Sequence, residues 1–330
     1  MQADQELPII GVTTSYSESL PVNIYMAAMY TNGYRAGGNS GRYAKLNDRE
    51  KEIVDGCPHL LESYHYVGKQ KFVDAMRMDS VRVFLDSGAF SAYTLGVNID
   101  LPTYCDYIKR NTDIWRVEDG VVMASVLDGI GDPLKTFENQ KHMEWYGTKP
   151  LPCFHAGEDE RYLEYYVQNY EYITLGGMVG SSTKQLCIWL DRMWSRYLTD
   201  GSGRPRIKVH GFGITSIPIM ERYPWYSVDS SSWIQSAAFG SIMTPNHGTM
   251  TISDKSPSRH DMGQHVTTLS SIEQDYVLRM LEDNGFTYER LSTVYESRAA
   301  FNLWAYGVIE AMMNAANNYE KFTNVVQELF

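Results

Sequence analysis

Strand-like apolar runs alternate with helix-like stretches along most of this chain, and no other feature constrains its fold as much. The runs are PIIGVTT (8–14), VRVFLD (81–86), GVVMASVLD (120–128), LPCFHAG (151–157), YITLGGM (172–178), IKVHGFGI (207–214) and WYSVD (225–229). Between them, LPTYCDYIKRN follows Asp100 as an N-cap, and DPLKTFENQKHMEWYG has Pro133 in its first turn and Gly147 at its end. DERYLEYYVQNY and STKQLCIWLDRMWSRYL carry apolar residues at three- and four-residue spacing, as one face of a helix requires. Short strands alternating with helices imply a parallel sheet covered by helices. With no glycine-rich dinucleotide fingerprint, the pattern predicts an α/β fold of the (β/α)₈ TIM-barrel type rather than an open doubly wound sheet. The eighth strand is expected in the less regular residues 24–66 or after residue 229. Residues 240–270, rich in Ser, Thr, Pro and His, read as a loop or insertion, and 271–330 as additional C-terminal helices. Residues 1–330 are read as one catalytic domain.

The 330 residues are 43% hydrophobic, enough for a large core. No apolar run approaches the roughly 18 residues of a membrane span. The opening MQADQELPII lacks the basic and apolar regions of a signal peptide. Cys57, Cys105, Cys153 and Cys187 form no CxxC pair, which fits free thiols in a reducing cytoplasm. A net charge of −11 argues against a protein that coats nucleic acid non-specifically, but not against one that grips a short segment through a local basic patch.

In a barrel of this type the reacting groups stand at the carboxyl ends of the strands. Those ends carry Asp86, Asp128, His155, the Gly176-Gly177-Met178 turn, His210 and Asp229. A single aspartate there also serves as a helix N-cap, and Asp128 competes with Asp132 for that place. Six polar or glycine endings in one chain are harder to attribute to capping. Two carboxylates converging on one pocket suit an acetal-like carbon, where one attacks and the other manages the leaving group's proton. A nucleoside has such a carbon where base meets sugar. The LGGM turn lets backbone approach a flat ligand, and Phe90 and Met178 either sandwich a planar base or belong to the core.

These residues resemble the tRNA-guanine transglycosylase superfamily (queuine and archaeosine enzymes), and most closely its phage-type DNA guanine transglycosylases. LDSGAF (85–90) is similar to the family's D-S-G-G-F/Y motif, and SVLD (125–128) resembles its next base-binding strand end. PCFHAGEDERYLEYYVQNYEYITLGGMVG (152–180) resembles the stretch from V-Q-G-G to G-G-L-A-V-G. VHGFGIT (209–215) looks like L-M-G-V-G-T, and YSVDSSSW (226–233) occupies the place of the nucleophilic aspartate. The order and approximate spacing hold from about 81 to 235, roughly half the chain.

The resemblance implies that Asp229 is the nucleophile at C1′ and Asp86 the general acid/base. It implies that Asp128 bonds the Watson–Crick edge of guanine or of an incoming 7-deazaguanine such as preQ0. Gly176 and Gly177 would offer backbone bonds and Phe90 would stack. His155 replaces a family glutamine and His210 stands near a family methionine. A histidine cannot copy the amide fork, so a different 7-substituent is expected. The tRNA enzymes carry a C-x-C-x₂-C…H zinc site, whereas no cysteine follows Cys187 here. His247, His260 and His265 are a conceivable substitute, but three histidines without a thiolate are more typical of catalytic sites, so no metal and no cofactor are expected. Losing that zinc region favours DNA over tRNA as the partner and, for a phage-encoded chain, the host cytoplasm. Arg35, Arg42 and Lys45, with Arg49 and Lys51, are expected to contact phosphates from the glycine- and tyrosine-bearing stretch 32–51, which reads equally as a solvated loop. The more basic RPRIK (204–208) begins a strand, on the stabilising face of a barrel. The alternatives are a tRNA enzyme without zinc, a nucleoside or glycan hydrolase using the same carboxylates, and a non-catalytic binding member.

Overall fold

The first nine strands in chain order are β1 (Asn23–Ala27), β2 (Leu60–Ser63), β3 (Val83–Asp86), β4 (Val117–Glu118), β5 (Val121–Val122), β6 (Cys153–His155), β7 (Tyr172–Gly176), β8 (Lys208–Gly211) and β9 (Ser227–Ser230). Seven of them form one parallel sheet at the centre of the chain, in the order β3-β2-β1-β9-β8-β7-β6, while β4 and β5 make a separate two-stranded ribbon. A computed structural model of the chain describes residues 22–35, 41–178 and 180–315. The strand expected over 8–14 lies outside them. Both β1 and β2 come from the less regular 24–66 region.

Period-two alternation sorts the strands' side chains into two cores. Ile24, Met26, Val83, Leu85, Ile173, Leu175, Val209 and Val228 join helix residues such as Tyr104, Ile108, Leu163 and Leu190 in the outer core. Tyr25, Ala27, Leu61, Phe84, Met123, Leu151, Tyr172 and Tyr226 make a separate inner cluster. The sheet is curled, because rings on strands that are not neighbours meet inside it. Tyr25 on β1 lies 5.5 Å from Phe84 on β3 and 6.0 Å from His210 on β8, and Phe84 and His210 are 4.7 Å apart.

The closed eight-stranded barrel expected from the sequence is met only in part. The strand expected over 120–128 is not continuous: Asp119 and Gly120, with φ of 50° and 77°, turn the chain at its start, so that only Val121–Val122 form a strand, paired back on β4. Beyond this turn, residues 123–126 meet the two sheet edges through isolated bridges, Leu85 with Ala124 and Ser125 with Leu151. Four backbone bonds hold the segment: Leu85 N to Met123 O (2.9 Å), Ser125 N to Leu85 O (2.9 Å), Val126 N to Leu151 O (3.0 Å) and Leu151 N to Ala124 O (2.8 Å). The architecture is therefore a curled, TIM-like parallel sheet flanked by helices.

The helices follow their sequence signals. Asp100 caps Leu101–Arg110 by accepting from Thr103 N at 3.0 Å, and Asp132 caps Pro133–Trp145 by accepting from Lys135 N at 3.0 Å. Glu160–Asn169 and Thr183–Met193 complete the set around β6 to β8. Residues 240–270 are less loop-like than expected, since β10 (Ser241–Thr244) and β11 (Gly248–Thr251) pair antiparallel there. The terminal helices Ser271–Asp283, Tyr288–Thr293 and Tyr295–Ala315 are present. The last ties down β1, with Glu310 Oε2 accepting from Ile24 N at 2.6 Å and Asn314 Oδ1 from Val22 N at 2.7 Å. Among the described residues no helix is long and apolar enough to cross a membrane.

Glu62 on β2 is 1% exposed and accepts from Tyr30 N at 2.6 Å and Thr31 Oγ1 at 2.8 Å. Burial pushes its carboxyl up to about 7, against the pull of those donors. A raised carboxyl pKa means that the folded chain holds the proton more tightly. This contribution is complete below the ordinary 4.5 and is lost as pH rises through about 7. Urea unfolding of wild type is expected to show a stability loss of about 3 kcal/mol across that window which Glu62→Gln lacks. Parallel curves for the two proteins would contradict it.

Candidate active site

Asp86, His155, Gly176, His210 and Asp229 stand at or next to the carboxyl ends of their strands, and Asp128, just beyond the extended segment 123–126, joins them. Strand register explains the neighbours. Ser63 pairs with Asp86 across β2 and β3, His155 with Gly176 across β6 and β7, and His210 with Ser227 across β8 and β9. None of the three aspartates caps a helix. Gly88 is the N-cap after Asp86, Asp132 the cap after Asp128, and Ser231 the N-cap after Asp229.

Asp86 Oδ2 accepts from Ser63 Oγ at 2.7 Å and Gly88 N at 3.0 Å, and Oδ1 from Ser125 Oγ at 3.4 Å. The second bond closes a tight turn that needs Gly88. Its φ is +72°, and a Cβ there would stand 2.6 Å from His65 Cβ. Burial pushes the Asp86 carboxyl up to about 6, and the charges of Asp128 and Asp229 add to the rise while Ser63 and Gly88 restrain it. Removing the Ser63 hydroxyl should therefore raise it further. In a carboxyl-carbon NMR titration, Asp86 of Ser63→Ala is expected to turn over at higher pH than wild type. An equal or lower midpoint would refute this reading of the bond.

Asp229 is 8% exposed, and its Oδ1 accepts from Gly213 N at 2.8 Å. His210 Nε2 stands 3.4 Å from the same oxygen, without the alignment of a hydrogen bond. The other ring nitrogen, Nδ1, is 2.6 Å from Ser227 Oγ, which is 2.6 Å from the Tyr172 hydroxyl. Burial pulls His210 below its ordinary value, with Asp229 opposing, so the ring is neutral. The order that satisfies this chain runs Tyr172 O–H to Ser227, Ser227 O–H to Nδ1, and Nε2–H toward Asp229. Both donors thus face Oδ1, and among the described residues Oδ2 has no hydrogen-bond donor within reach.

Asp128 Oδ1 is buried with no hydrogen-bond partner, and Oδ2 is 3.6 Å from His155 Nε2. His155 is fixed from behind. Its Nδ1 is 2.9 Å from Glu158 Oε1, and its backbone N donates to Glu158 Oε2 at 3.0 Å. Burial opposes its charge, but the Cys153 sulfur, Asp128 and Glu158 outweigh burial and raise it above the usual imidazole range, while burial pushes the Cys153 thiol itself up to about 11. Gly176 makes room for that ring, since a Cβ would stand 2.9 Å from His155 Cδ2. Gly177 has a φ of +71° and turns the chain away from β7.

Phe90, on the first turn of helix Ala89–Thr94, is 63% exposed, whereas Met178 is 3% exposed and belongs to the outer core. The base-contacting alternative for Met178 gives way to the core one. Of the cations of the 32–51 stretch, Arg35 is corrected by its burial, whereas Arg42 and Lys45 are partnered but not buried. Arg35 is 7% exposed and spends its guanidinium on the carbonyls of Val54 and Asp55. Arg42 lies 5.0 Å from the Tyr295 ring centre and donates to Asn32 O at 3.1 Å. Lys45, mostly exposed, pairs with Glu296 at 2.8 Å. Buried or paired cations hold the loop to the body, leaving Lys45 the most accessible of the three; residues 36–40 lie outside the described ones. His247 stacks edge-on with Tyr276 and His265 is buried against Thr267 and Ser253, so the three-histidine set is not assembled.

A cavity of about 950 Å³ opens at the opposite end, where Tyr172 and Lys208 begin their strands and Leu151 precedes β6, with Arg204 and Arg206 of the RPRIK stretch on its wall. It contains none of the converging carboxylates, so size alone does not mark the site. Compared with known proteins, the chain matches no family model and no curated protein.

Sequence reasoning missed Ser63, Ser125, Cys153, Glu158, Tyr172 and Ser227 as partners in the site. Cys153 and Ser227 each stand two residues before a chosen residue on the same strand, so period two alone points to them. Ser63 carried no such signal, because β2 has four residues and is not set off by composition.

Proposed function

We propose that this chain is a DNA guanine transglycosylase that exchanges guanine for a 7-deazaguanine through a covalent aspartyl–deoxyribosyl intermediate. One observation carries the reading: Asp86, with its pKa pushed up to about 6, shares a strand-end site with Asp229, whose Oδ1 is held by a backbone donor while Oδ2 faces none. A carboxyl that titrates near neutrality suits proton transfer in both directions, and a held carboxylate with one open oxygen suits attack. In this reading residues 123–126 serve as the eighth stave of a TIM barrel.

The target guanosine leaves its stack and enters the mouth. Asp229 Oδ2 attacks C1′, the C1′–N9 bond breaks, and its electron pair leaves with guanine, which takes a proton from Asp86. An incoming 7-deazaguanine such as preQ0 occupies the vacated place and gives its N9 proton to Asp86. N9 then attacks C1′ and the ester to Asp229 breaks. Two inversions return the β-configuration, and no redox step is involved. Asp128 receives the purine edge and His155 reads a carbonyl or 7-substituent, with the backbone of Gly176 and Gly177 nearby. Phe90 is exposed enough to stack on the base. DNA is favoured over tRNA because the cysteines that hold the RNA-gripping zinc region are absent after Cys187. The compartment is a reducing cytoplasm, the host's for a phage-encoded enzyme, and all four cysteines are free.

Labelled guanine offered with DNA, with tRNA and with no polymer tests the reading. Label is expected in DNA alone. Label only in tRNA would favour the zinc-less tRNA enzyme, and free base released without incorporation would favour a hydrolase.

A further inference from the structure

Asp128, Cys153 and His155 bring a carboxylate oxygen, a sulfur and an imidazole nitrogen within 4.8 Å of one another, the one such grouping of metal-ligating atoms among the described residues. His155 Nε2 lies 3.4 Å from Cys153 Sγ and 3.6 Å from Asp128 Oδ2. Around tetrahedral zinc, bonds of about 2.0–2.1 Å to nitrogen, about 2.3 Å to sulfur and about 2.0–2.2 Å to oxygen put nitrogen and sulfur about 3.6 Å apart, and nitrogen and oxygen about 3.4 Å apart. The two observed spacings from Nε2 are each within about 0.2 Å of such an edge, and the sulfur and carboxylate oxygen lie within 4.8 Å of each other. We propose that these three side chains bind a zinc-class divalent cation, which displaces the His155 Nε2 proton and the Cys153 thiol proton, with the fourth coordination position open to the mouth that holds Asp86 and Asp229.

Three further features fit a metal better than a closed hydrogen-bond cluster. Asp128 Oδ1 is buried without a partner, and its Oδ2 is beyond hydrogen-bond distance of the histidine. Glu158 Oε1, 2.9 Å from His155 Nδ1, fixes the ring with Nε2 turned into the group, as a carboxylate behind a ligating histidine does. Gly176 clears the space beside the donors, since a Cβ there would stand 3.2 Å from His155 Nε2 and 3.3 Å from Cys153 Sγ. A thiolate in the set selects zinc over magnesium or calcium. Three protein ligands with one open position is the arrangement of a site that exchanges its fourth ligand.

This metal site goes beyond the base-exchange reading and does not rest on it. It also revises the expectation of no metal. Where base exchange also holds, the open position would accept a carbonyl oxygen or the nitrogen of a 7-substituent in place of the direct contacts of Asp128 and His155.

The test uses the full chain, stripped with a chelator, reloaded with zinc or cobalt(II) alone and dialysed. One zinc per chain is expected by elemental analysis. The cobalt form should show tetrahedral d–d bands and a thiolate-to-cobalt charge-transfer band. Cys153→Ser and His155→Ala should lose that band and the bound metal, whereas Cys187→Ser keeps both. Glu158→Gln should weaken zinc binding by roughly 10- to 100-fold. Should a ligand variant not fold, X-ray absorption of the zinc-loaded wild type decides, with one sulfur and two or three nitrogen or oxygen neighbours expected. Folded wild type that holds no more zinc than Cys153→Ser, or a zinc shell without sulfur, overturns the proposal. Metal binding without base exchange would remove only the transglycosylase reading, and exchange without metal only this one.

Discussion

Asp229→Ala is expected to lower base exchange by roughly 10⁴-fold or more, because losing the nucleophile of a concerted site leaves only binding and positioning. The fold should persist, since the carboxylate receives one backbone bond, from Gly213 N, and takes part in no helix cap. A second effect separates this variant from mere damage. Asp229 adds to the upward push on Asp86, so its removal should bring the Asp86 carboxyl down from about 6. Small carboxylates such as formate, diffusing into the vacated space, should recover part of the first step. A variant that retains exchange within about tenfold would remove Asp229 from the nucleophile's role.

Asp86→Asn is expected to cost roughly 10²- to 10⁴-fold, the usual worth of a positioned proton donor. The sign of its pH dependence is specific. Guanine departure needs Asp86 protonated, a state lost as pH rises through about 6, and the return step needs it ionised. Wild-type exchange should therefore be bell-shaped with one limb near that value, and Asp86→Asn should lose that limb. DNA carrying N7-methylguanine offers a base that leaves without being protonated. It should restore base release to Asp86→Asn but not to Asp229→Ala. An unchanged pH profile in Asp86→Asn would assign the proton to another group.

The sequence was most informative where a strand is bounded on both sides. The runs bearing Asp86, His155, Gly176, His210 and Asp229 all became strands of the seven-stranded sheet with those residues last or next to last, because alternation and a following turn locate both face and end. It was weaker at 120–128, where apolar composition reads as one strand but Val121–Val122 fold back on β4 after the Asp119-Gly120 turn and residues 123–126 meet the sheet through isolated bridges. Composition cannot distinguish a strand from an extended segment held by isolated bridges. Arg35, and the partners of Arg42, were not legible for a related reason. Arg35 answers two backbone carbonyls and Arg42 two tyrosine rings, and no local pattern announces partners as distant as Tyr295. Ser63 acquires its role only through the β2–β3 register, which is a tertiary fact.

The most direct measurement is mass spectrometry of the chain trapped on guanine-containing DNA with no incoming base, digested and searched for a deoxyribosyl ester. A deoxyribosyl adduct on the peptide bearing Asp229, with guanine released in equal amount and no adduct in Asp229→Ala, is the expected result. Guanine release with no protein-bound sugar, or an adduct on any other side chain, would contradict it.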